Sequence, residues 1–293
     1  MSTLEFRNIC AVITPFFNDG ELIDYEKHYQ HLHYLKNGGV EAIVSLGTTG
    51  ESPTISFDEH LDIIREVVRF SPLPVIAGAG GNSTAEAILL TREAEKARAI
   101  AILSVAPYYN RPNQKGILEH YVKICESTSL PVLVYNVPKR TGVDIEVDTV
   151  LRLRDKCKNF AGVKEASNNL AAVQRYVQND VPVYCGEDAL NFVMLCLGAQ
   201  GVISVLSNFA GRTISALIDQ VSSGNLKGAR WINNQIVDLA KAAFLDTNPI
   251  PTKYICSRLG FCENSLRLPL TTLSAENEKI VVKLIEKDIC FTE

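Results

Sequence analysis

The sequence predicts an α/β fold, a (β/α)8 TIM barrel with a C-terminal all-helical appendage. Short apolar runs rich in Val and Ile alternate with amphipathic stretches, and the runs begin about every 20 to 33 residues. Eight such runs match the eight parallel strands that this kind of barrel requires. After Gly224 the alternation stops and only helical patterns follow.

Each apolar run is predicted to be a buried parallel strand, because it is apolar on both faces. The runs cover residues 10–13, 42–46, 74–77, 100–105, 131–135, 160–163, 181–185 and 201–205. An open, doubly wound sheet is the alternative. It is disfavoured because no G-x-G-x-x-G motif follows the first run.

Amphipathic patterns between the runs predict helices. They cover residues 25–37, 57–70, 85–98, 116–127, 169–178, 189–197 and 212–222. The first helix should end at Gly38, a typical C-terminal stop signal. Ser56 with Glu59, and Ser83 with Glu86, have the spacing of capping boxes at two helix starts.

The last part of the chain is predicted to be a separate helical domain. Helical patterns cover residues 226–245, 252–259 and 276–288, without a strand between them. We therefore divide the chain into a catalytic barrel, 1–224, and a helical domain, 225–293. No linker rich in Gly or Ser separates them, so the helical domain should pack on the barrel.

Composition excludes several classes of protein. Lys and Arg total 29 against 33 Asp and Glu, a formal net charge of −4, which argues against a sequence-independent nucleic-acid binder. No polybasic run suits an anionic membrane surface, and no apolar run approaches the roughly 20 residues of a membrane span. Residues 1–7 are charged early and lack the apolar core of a secretory signal. We therefore expect a cytoplasmic protein.

Cysteine and histidine patterns indicate no metal site. The eight cysteines include no C-x-x-C pair, so they are interpreted as buried reduced thiols rather than disulfides or zinc ligands. His28, His31 and His33 fall in one amphipathic segment without an acidic or cysteine cluster. They are interpreted as part of a solvated helix face.

Lys164 is the main candidate for chemistry. It ends the apolar run 160–163, and catalytic residues of such barrels lie where strands end. A desolvated lysine has a lowered pKa, and its free amine can attack a carbonyl carbon. Taken alone, Lys164 is better interpreted as a lysine that reaches solvent. Tyrosines and paired threonines at neighbouring strand ends reverse that preference, because hydroxyl chains can carry protons in a dry pocket.

Two further strand ends are suited to binding carboxylates. In residues 47–51, glycines would let backbone N–H groups approach a small anion, and no P-loop lysine follows to suggest a nucleotide. Arg140 alone would be a surface arginine. Beside a carbonyl-reactive lysine it is better interpreted as a bidentate clamp for a carboxylate.

Five motifs at the strand ends carry a family resemblance. They are GTTGES at 47–52, PYYNRP at 107–112, YNVPKRTG at 135–142, GVKEAS at 162–167 and GVISV at 201–205. With NPIPTK at 248–253 and LRLPL at 266–270, they resemble the dihydrodipicolinate synthase family. This family belongs to the pyruvate-dependent class I aldolases, which include N-acetylneuraminate lyase. The resemblance runs in order along the whole chain.

The resemblance implies a lyase of lysine biosynthesis by the diaminopimelate route. It implies condensation of pyruvate with L-aspartate 4-semialdehyde, through a lysine Schiff base, to 4-hydroxy-tetrahydrodipicolinate. No metal or organic cofactor is implied. Lys164 would form the Schiff base, with Tyr135 as the adjacent proton donor and acceptor. Thr48 would link Tyr135 to Tyr109 from the neighbouring subunit of a tight dimer, and the implied assembly is a homotetramer of such dimers.

The same resemblance assigns binding residues. Thr49 and backbone amides would hold the pyruvate carboxylate, Arg140 the carboxylate of aspartate semialdehyde, and Gly186 and Ile203 would line the pocket. An L-lysine effector cleft at the dimer interface is also implied. Its residues would be Ser52, Pro53, Phe57, His60, Asn82, Glu86 and Tyr108. Phe57 departs from the histidine or tryptophan of many regulated members, and the cleft residues alternatively only pack the interface.

Two other functions remain open. One is a different Schiff-base aldolase, such as N-acetylneuraminate lyase or a keto-deoxy-sugar-acid aldolase. Those relatives typically carry Ser in place of the second threonine of GTTGE and lack an arginine matching Arg140. The other is a non-catalytic binding relative, which the intact Lys164, Tyr135, Thr48 and Tyr109 argue against.

Overall fold

The computed structural model describes residues 4–288, with side chains up to Glu286. The strands are β1 (Asn8–Ala11), β2 (Phe16–Phe17), β3 (Leu22–Ile23), β4 (Ala42–Ser45), β5 (Val75–Gly78), β6 (Ala101–Val105), β7 (Val132–Asn136), β8 (Phe160–Glu165), β9 (Val183–Cys185) and β10 (Gly201–Ser204). All except β2 and β3 pair in parallel and close a barrel, in the order β1-β10-β9-β8-β7-β6-β5-β4. The predicted barrel is confirmed, and the open sheet is excluded. The antiparallel pair β2–β3 was not predicted.

Helices follow the strands as the amphipathic patterns predict. They are α1 (Tyr25–Asn37), α2 (Phe57–Phe70), α3 (Thr84–Lys96), α4 (Gln114–Glu126), α5 (Pro138–Thr141), α6 (Val147–Lys156), α7 (Leu170–Gln178), α8 (Asn191–Cys196), α9 (Ser207–Ser222), α10 (Leu226–Ala243), α11 (Ile250–Arg258) and α12 (Ala275–Asp288). The bounds of α1 and α2 match the prediction, whereas α5 and α6 were not predicted. Helix α6 was missed because residues 147–156 are largely polar, which leaves the helix only a narrow apolar stripe.

Of the two predicted capping boxes, only one is complete. Ser56 Oγ accepts a hydrogen bond from the Glu59 backbone N–H, and the Glu59 carboxylate accepts one from the Ser56 backbone N–H. These two reciprocal bonds complete the box. At the start of α3, Ser83 Oγ accepts from the Glu86 N–H at 3.4 Å. The contacts of residues 4–288 include no return bond to the Glu86 carboxylate, so the second box is corrected to a one-sided cap.

The barrel divides its apolar side chains between two cores. One fills the inside of the barrel, and its strand residues include Ile9, Val44, Ile76, Leu103, Leu133, Tyr135 and Ile203. The other lies between the strands and the surrounding helices. Because side chains alternate along a strand, each buried strand contributes to both cores. This explains why the runs are apolar on both faces.

A bulge in β8 changes that alternation just before Lys164. Val132 pairs with Phe160, but the next residue of β7, Leu133, pairs with Gly162, so Ala161 is the extra residue. Phe160 and Val163 both belong to the outer core, whereas Ala161 belongs to the inner one. Gly162 has φ +127°, and a Cβ there would lie 2.3 Å from the Pro182 carbonyl oxygen. The bulge thus requires glycine and turns Lys164 into the barrel.

The interpretation of His28 and His31 as a solvated face is wrong. Both rings are fully buried, because this face of α1 packs against the aromatic side chains of Phe70 and Phe261. His28 lies edge-on to Phe70, and His31 stacks on Phe261 with centroids 4.8 Å apart. Burial lowers the pKa of His28 to about 3 and that of His31 to about 4, so both rings are neutral.

The cysteine prediction holds in most positions. The seven cysteines from Cys10 to Cys262 are free thiols, and all are buried except the exposed Cys196. Cys290 and residues 1–3 lie outside the described residues.

The C-terminal helices pack against the barrel. Helix α10 packs against α9, and α11 and α12 pack against α10. Lys253 of α11 forms a fully buried ion pair with Glu51, which follows β4. The division at residue 224 stays a prediction. None of the described helices is long and apolar enough to cross a membrane.

Candidate active site

A cavity of about 310 Å³ opens at the carboxyl ends of the strands. Its lining includes three of the predicted catalytic and substrate-binding residues, Thr48, Tyr135 and Arg140. The remaining lining residues are Leu46, Gly47, Ser52, Pro53, Gly78, Gly80, Leu103, Val105, Tyr108, Val137 and Thr141. The wall is therefore mostly apolar, with a few polar groups that can orient a small ligand.

Lys164 lies behind this cavity rather than on its wall. It pairs with Tyr135 in the register of β7 and β8, and its Nζ lies 4.3 Å from the centroid of the Tyr135 ring. Only 6% of Lys164 is exposed. The amine is therefore separated from bulk water, and it borders the Tyr135 ring, which lines the cavity.

Burial lowers the pKa of Lys164 from the ordinary lysine value of 10.5 to about 8. The Asp188 carboxylate opposes this change, and the Arg140 guanidinium adds to it. At pH 7.5 a pKa of about 8 leaves roughly a quarter of the amine unprotonated, against about 0.1% at the ordinary value. The site thus supplies a nucleophilic amine at neutral pH.

Burial raises the pKa of Tyr135 to about 12. Arg140 and the Thr48 side chain both counteract the rise. The phenol consequently stays protonated at neutral pH, and it can donate a proton to a group that forms beside Lys164. Acid and nucleophile are adjacent, and neither needs a permanent charge.

The turn after β4 carries Thr48 and Thr49. Leu46 and Glu51 at its two ends have φ values of 58° and 56°, which fold residues 47–51 into a tight turn. Within residues 4–288, no acceptor contacts the backbone N–H groups of Thr48 and Thr49. Unused N–H groups in a tight turn are suited to a small anion such as a carboxylate.

Arg140 lies on the short helix α5 at the rim of the cavity. Its Nη2 donates to the Asn248 carbonyl oxygen over 3.1 Å, and this contact ties it to the C-terminal segment. The other guanidinium N–H groups remain available for a carboxylate. Arg140 lies close enough to act on the pKa values of both Tyr135 and Lys164.

Tyr109 points away from its own chain. It is 90% exposed and has a φ of 72°, an unusual value for a bulky residue. Its neighbour Tyr108 lies in the cavity wall instead. Within the single chain, the structure does not bring Tyr109 together with Thr48 and Tyr135.

Gly186 follows β9 and lies close to the Lys164 side chain, whereas Ile203 lies on β10. A Cβ at Gly186 would lie 3.0 Å from both Cγ and Cε of Lys164 and 3.2 Å from Cβ of Ala166. Ile203 is fully buried in the inner core. A side chain larger than glycine at position 186 would therefore press on the lysine side chain.

Of the seven proposed effector residues, three line the cavity and the other four do not. Ser52, Pro53 and Tyr108 line it, and Glu86 contributes, after burial, to the raised pKa of Tyr108. His60 is buried, and its Nε2 donates to the Gly78 carbonyl over 2.8 Å. Asn82 accepts from Asn110 through its backbone oxygen, and Phe57 packs against the outer core.

Two residues near the site were not predicted. Asp188 is buried behind Lys164 and accepts from the Ser204 hydroxyl and the Val205 and Leu206 N–H groups, which fixes the turn after β10. Burial raises its pKa. Asn248 contacts both Thr49 and Arg140. The NPIPTK motif contains Asn248, but its sequence gave no sign of this contact.

No metal site accompanies these groups. Within the described part of the chain, no three His, Cys, Asp or Glu side chains are arranged to hold a metal ion.

Comparisons with known proteins agree with this geometry. The sequence model of the dihydrodipicolinate synthetase family matches residues 5–288. A curated 4-hydroxy-tetrahydrodipicolinate synthase of Methanothrix thermoacetophila is 43% identical over 278 residues, covering 93% of this chain and 94% of the relative. The crystal structure of dihydrodipicolinate synthase from Aquifex aeolicus superposes with a TM-score of 0.93 at 40% identity, covering 96% of this chain and 97% of the other.

Similar structures also include ligand complexes. The enzyme of Acinetobacter baumannii, described as chloride-inhibited and complexed with pyruvate, is 35% identical with a TM-score of 0.93, covering 97% and 99% of the two chains. The Cyanidioschyzon merolae enzyme, described with lysine bound, is 38% identical with the same TM-score, covering 97% and 98%. A monomeric variant of the enzyme, 39% identical, matches equally well over 97% of each chain. The chain belongs to the dihydrodipicolinate synthetase family.

Proposed function

We propose that the chain condenses pyruvate with L-aspartate 4-semialdehyde through a Schiff base on Lys164. The reaction is that of 4-hydroxy-tetrahydrodipicolinate synthase, the activity named for its relatives. The observation that carries the assignment of Lys164 is a buried amine of lowered pKa beside a protonated phenol. An alternative aldolase or a binding relative is not favoured.

The chemistry follows from these groups. The lone pair of the Lys164 amine attacks the pyruvate ketone carbon, and the ketone oxygen leaves as water after protonation. The resulting iminium withdraws electrons, so the methyl group loses a proton and gives an enamine. The enamine carbon attacks the aldehyde carbon, whose oxygen takes up a proton. The substrate amine then displaces Lys164 and closes the ring.

Tyr135 supplies and recovers the protons in this sequence. Its phenol is protonated at the start and lies next to the lysine, which supports that role. Thr48 is proposed to connect it to Tyr109 of a neighbouring subunit. Thr49, with the free N–H groups of its turn, is proposed to bind the pyruvate carboxylate. Arg140 is proposed to bind the carboxylate of the aldehyde, and Gly186 and Ile203 to border the reacting carbons.

Trapping with borohydride tests the assignment. Reduction in the presence of pyruvate should leave an adduct on Lys164, and Lys164→Ala should abolish it. Lys139→Ala, which removes an exposed lysine beside Arg140, is the matched control and should keep the adduct. An adduct on another lysine in the Lys164→Ala protein would refute the assignment of Lys164 as the Schiff-base residue. A substrate panel with aspartate semialdehyde against N-acetylneuraminate then separates the synthase from the lyase.

The exposure of Tyr109 supports a tight dimer. Tyr109 is 90% exposed, and its positive φ strains the backbone. In a monomer this strain is a cost, whereas in a dimer the side chain can bind to a second subunit, which compensates for it. We propose that each subunit lends Tyr109 to the other and that such dimers pair into a tetramer. Because a monomeric relative exists, light scattering at assay concentration is the direct test. The free thiols of the seven cysteines between residues 4 and 288 support a reducing, cytoplasmic location, which stays a prediction.

L-Lysine is proposed to bind in the outer part of the cavity. Ser52, Pro53 and Tyr108 line it, and the charge of Glu86 is felt at Tyr108. Glu86 would pair with the α-ammonium, and the ring face of the half-buried Phe57 would attract the side-chain ammonium. His60 has its Nε2 occupied by Gly78, so only its Nδ1 is available to the ligand. Calorimetry that detects no heat with millimolar L-lysine would reject the site.

A further inference from the structure

Asn248 is a buried residue of the C-terminal segment that contacts two residues of the proposed site. It lies just before α11, and 5% of it is exposed. Its Nδ2 donates to Thr49 Oγ1 over 3.1 Å, and its backbone oxygen accepts from Arg140 Nη2 over 3.1 Å. Asn248 does not line the cavity, so it acts through these two residues rather than on a substrate.

The amide orientation determines what Thr49 can do. Asn248 Oδ1 accepts from Thr252 Oγ1 over 3.4 Å, which leaves Nδ2 directed at Thr49. An amide nitrogen only donates, so Thr49 Oγ1 is the acceptor in this contact. The hydroxyl proton of Thr49 is consequently free to point elsewhere. A carboxylate needs such a donor, because an ionised carboxylate only accepts.

A second contact fixes the same turn to the same segment. Glu51 ends the turn, and its carboxylate pairs with the fully buried Lys253 and accepts from the Arg267 N–H. Lys253 is also held by the Ser265 carbonyl. The middle of the turn, at Thr49, and its last residue, Glu51, are therefore both bound to residues that follow the barrel.

We propose that Asn248 is a positioning residue, which directs the Thr49 hydroxyl proton towards the pyruvate carboxylate and holds Arg140 at the rim. The inference rests on the proposed roles of Thr49 and Arg140. It makes the C-terminal segment part of the substrate-binding site, and it predicts that changes at Asn248 act on pyruvate binding first.

Asn248→Asp is the sharpest test. The carboxylate has nearly the same shape, but it accepts the Thr49 proton and adds a negative charge near the site of the pyruvate carboxylate. We expect the KM for pyruvate to rise by about tenfold or more, the loss of one charge-assisted hydrogen bond. The KM for aspartate semialdehyde should change less, because the backbone contact to Arg140 remains. Asn234→Asp, on the exposed face of α10, adds the same charge and should leave both values unchanged.

A double-mutant cycle shows whether Asn248 acts through Thr49. If it does, Asn248→Ala and Thr49→Val should each raise the KM for pyruvate, and the double variant should be little worse than Thr49→Val. Additive effects, or a pyruvate KM unchanged by Asn248→Asp, would overturn the inference. If an Asn248 variant does not fold, Thr252→Val tests the same amide by removing its other partner, and an unchanged pyruvate KM again counts against it.

Failure of this inference differs from failure of the proposed function. If the wild-type protein gives no borohydride-trapped adduct on Lys164, the function is wrong. If it gives the adduct while the Asn248 and Thr252 variants keep the wild-type pyruvate KM, only the positioning role is wrong.

Discussion

Replacing Lys164 with methionine should abolish the pyruvate adduct and, at the same time, raise the free energy of unfolding near pH 7. Methionine is similar in length and carries no charge. Burial of the Lys164 amine, by contrast, disfavours its charged form, and it lowers the pKa from 10.5 to about 8. Catalysis and stability therefore make opposite demands on this residue.

The pKa values give the size and the pH range of the effect. Below about pH 8 the amine is protonated in the folded and the unfolded protein, and the penalty is fully present. Between pH 8 and 10.5 the unfolded chain binds more protons, so the stability of the wild-type protein rises with pH. The change in the lysine pKa from 10.5 to about 8 corresponds to a loss of about 3 kcal/mol in the free energy of unfolding, at about 1.36 kcal/mol per pKa unit.

Urea unfolding at pH 7 and pH 10.5, at one protein concentration, measures the effect. Lys164→Met should be up to about 3 kcal/mol more stable at pH 7, and the advantage should narrow at pH 10.5. Lys253→Met is the matched contrast, because Lys253 is paired with the buried Glu51. Its loss leaves an unpaired buried carboxylate and should cost about 3–5 kcal/mol. A Lys164→Met protein no more stable than wild type at pH 7, or an advantage that persists unchanged at pH 10.5, would refute the reasoning.

Three further outcomes are expected. Gly186→Ala should cut the yield of pyruvate adduct at least about tenfold with the fold unchanged, since the added Cβ would lie 3.0 Å from two Lys164 carbons; trapping and circular dichroism together check this, and a full adduct yield would contradict it. Arg140→Ala should raise the KM for aspartate semialdehyde more than tenfold, about 1.5–3 kcal/mol, and affect pyruvate far less; steady-state kinetics with unchanged parameters for the aldehyde would rule out the clamp. Tyr109→Phe should lower turnover without changing the molecular mass in light scattering, and a fully active monomer would be incompatible with a relay between subunits.

Local patterns in the sequence were sufficient for most of the fold. The strands are recognisable because a parallel barrel buries both faces of each strand, and the helices because each has one apolar face. Helix α2 is predicted to the residue, since Ser56 and Glu59 form a complete cap. His28 and His31 were misjudged because a polar side chain in an amphipathic helix does not reveal what packs against it.

The proposed site could be predicted only in part. Tyr135 ends an apolar run and Lys164 and Arg140 follow such runs, so their place at the carboxyl ends of strands is a local property of the chain. Their roles came from the resemblance of whole motifs. Tyr109 shows where a single chain is insufficient: its phenol is exposed, and its proposed role depends on a second subunit.

The sequence by itself determined the barrel, the order of its eight parallel strands and of most helices, and the lysine near the end of β8. Only the tertiary structure decided that Lys164 faces inward. Strict alternation from Phe160 would turn Lys164 towards the helices, and the bulge at Ala161 reverses it. The bulge depends on the close approach of Gly162 to Pro182, and Thr49 accepts a hydrogen bond from Asn248. Both are contacts between segments distant in the chain, and the periodicity of a segment carries information only about its own faces.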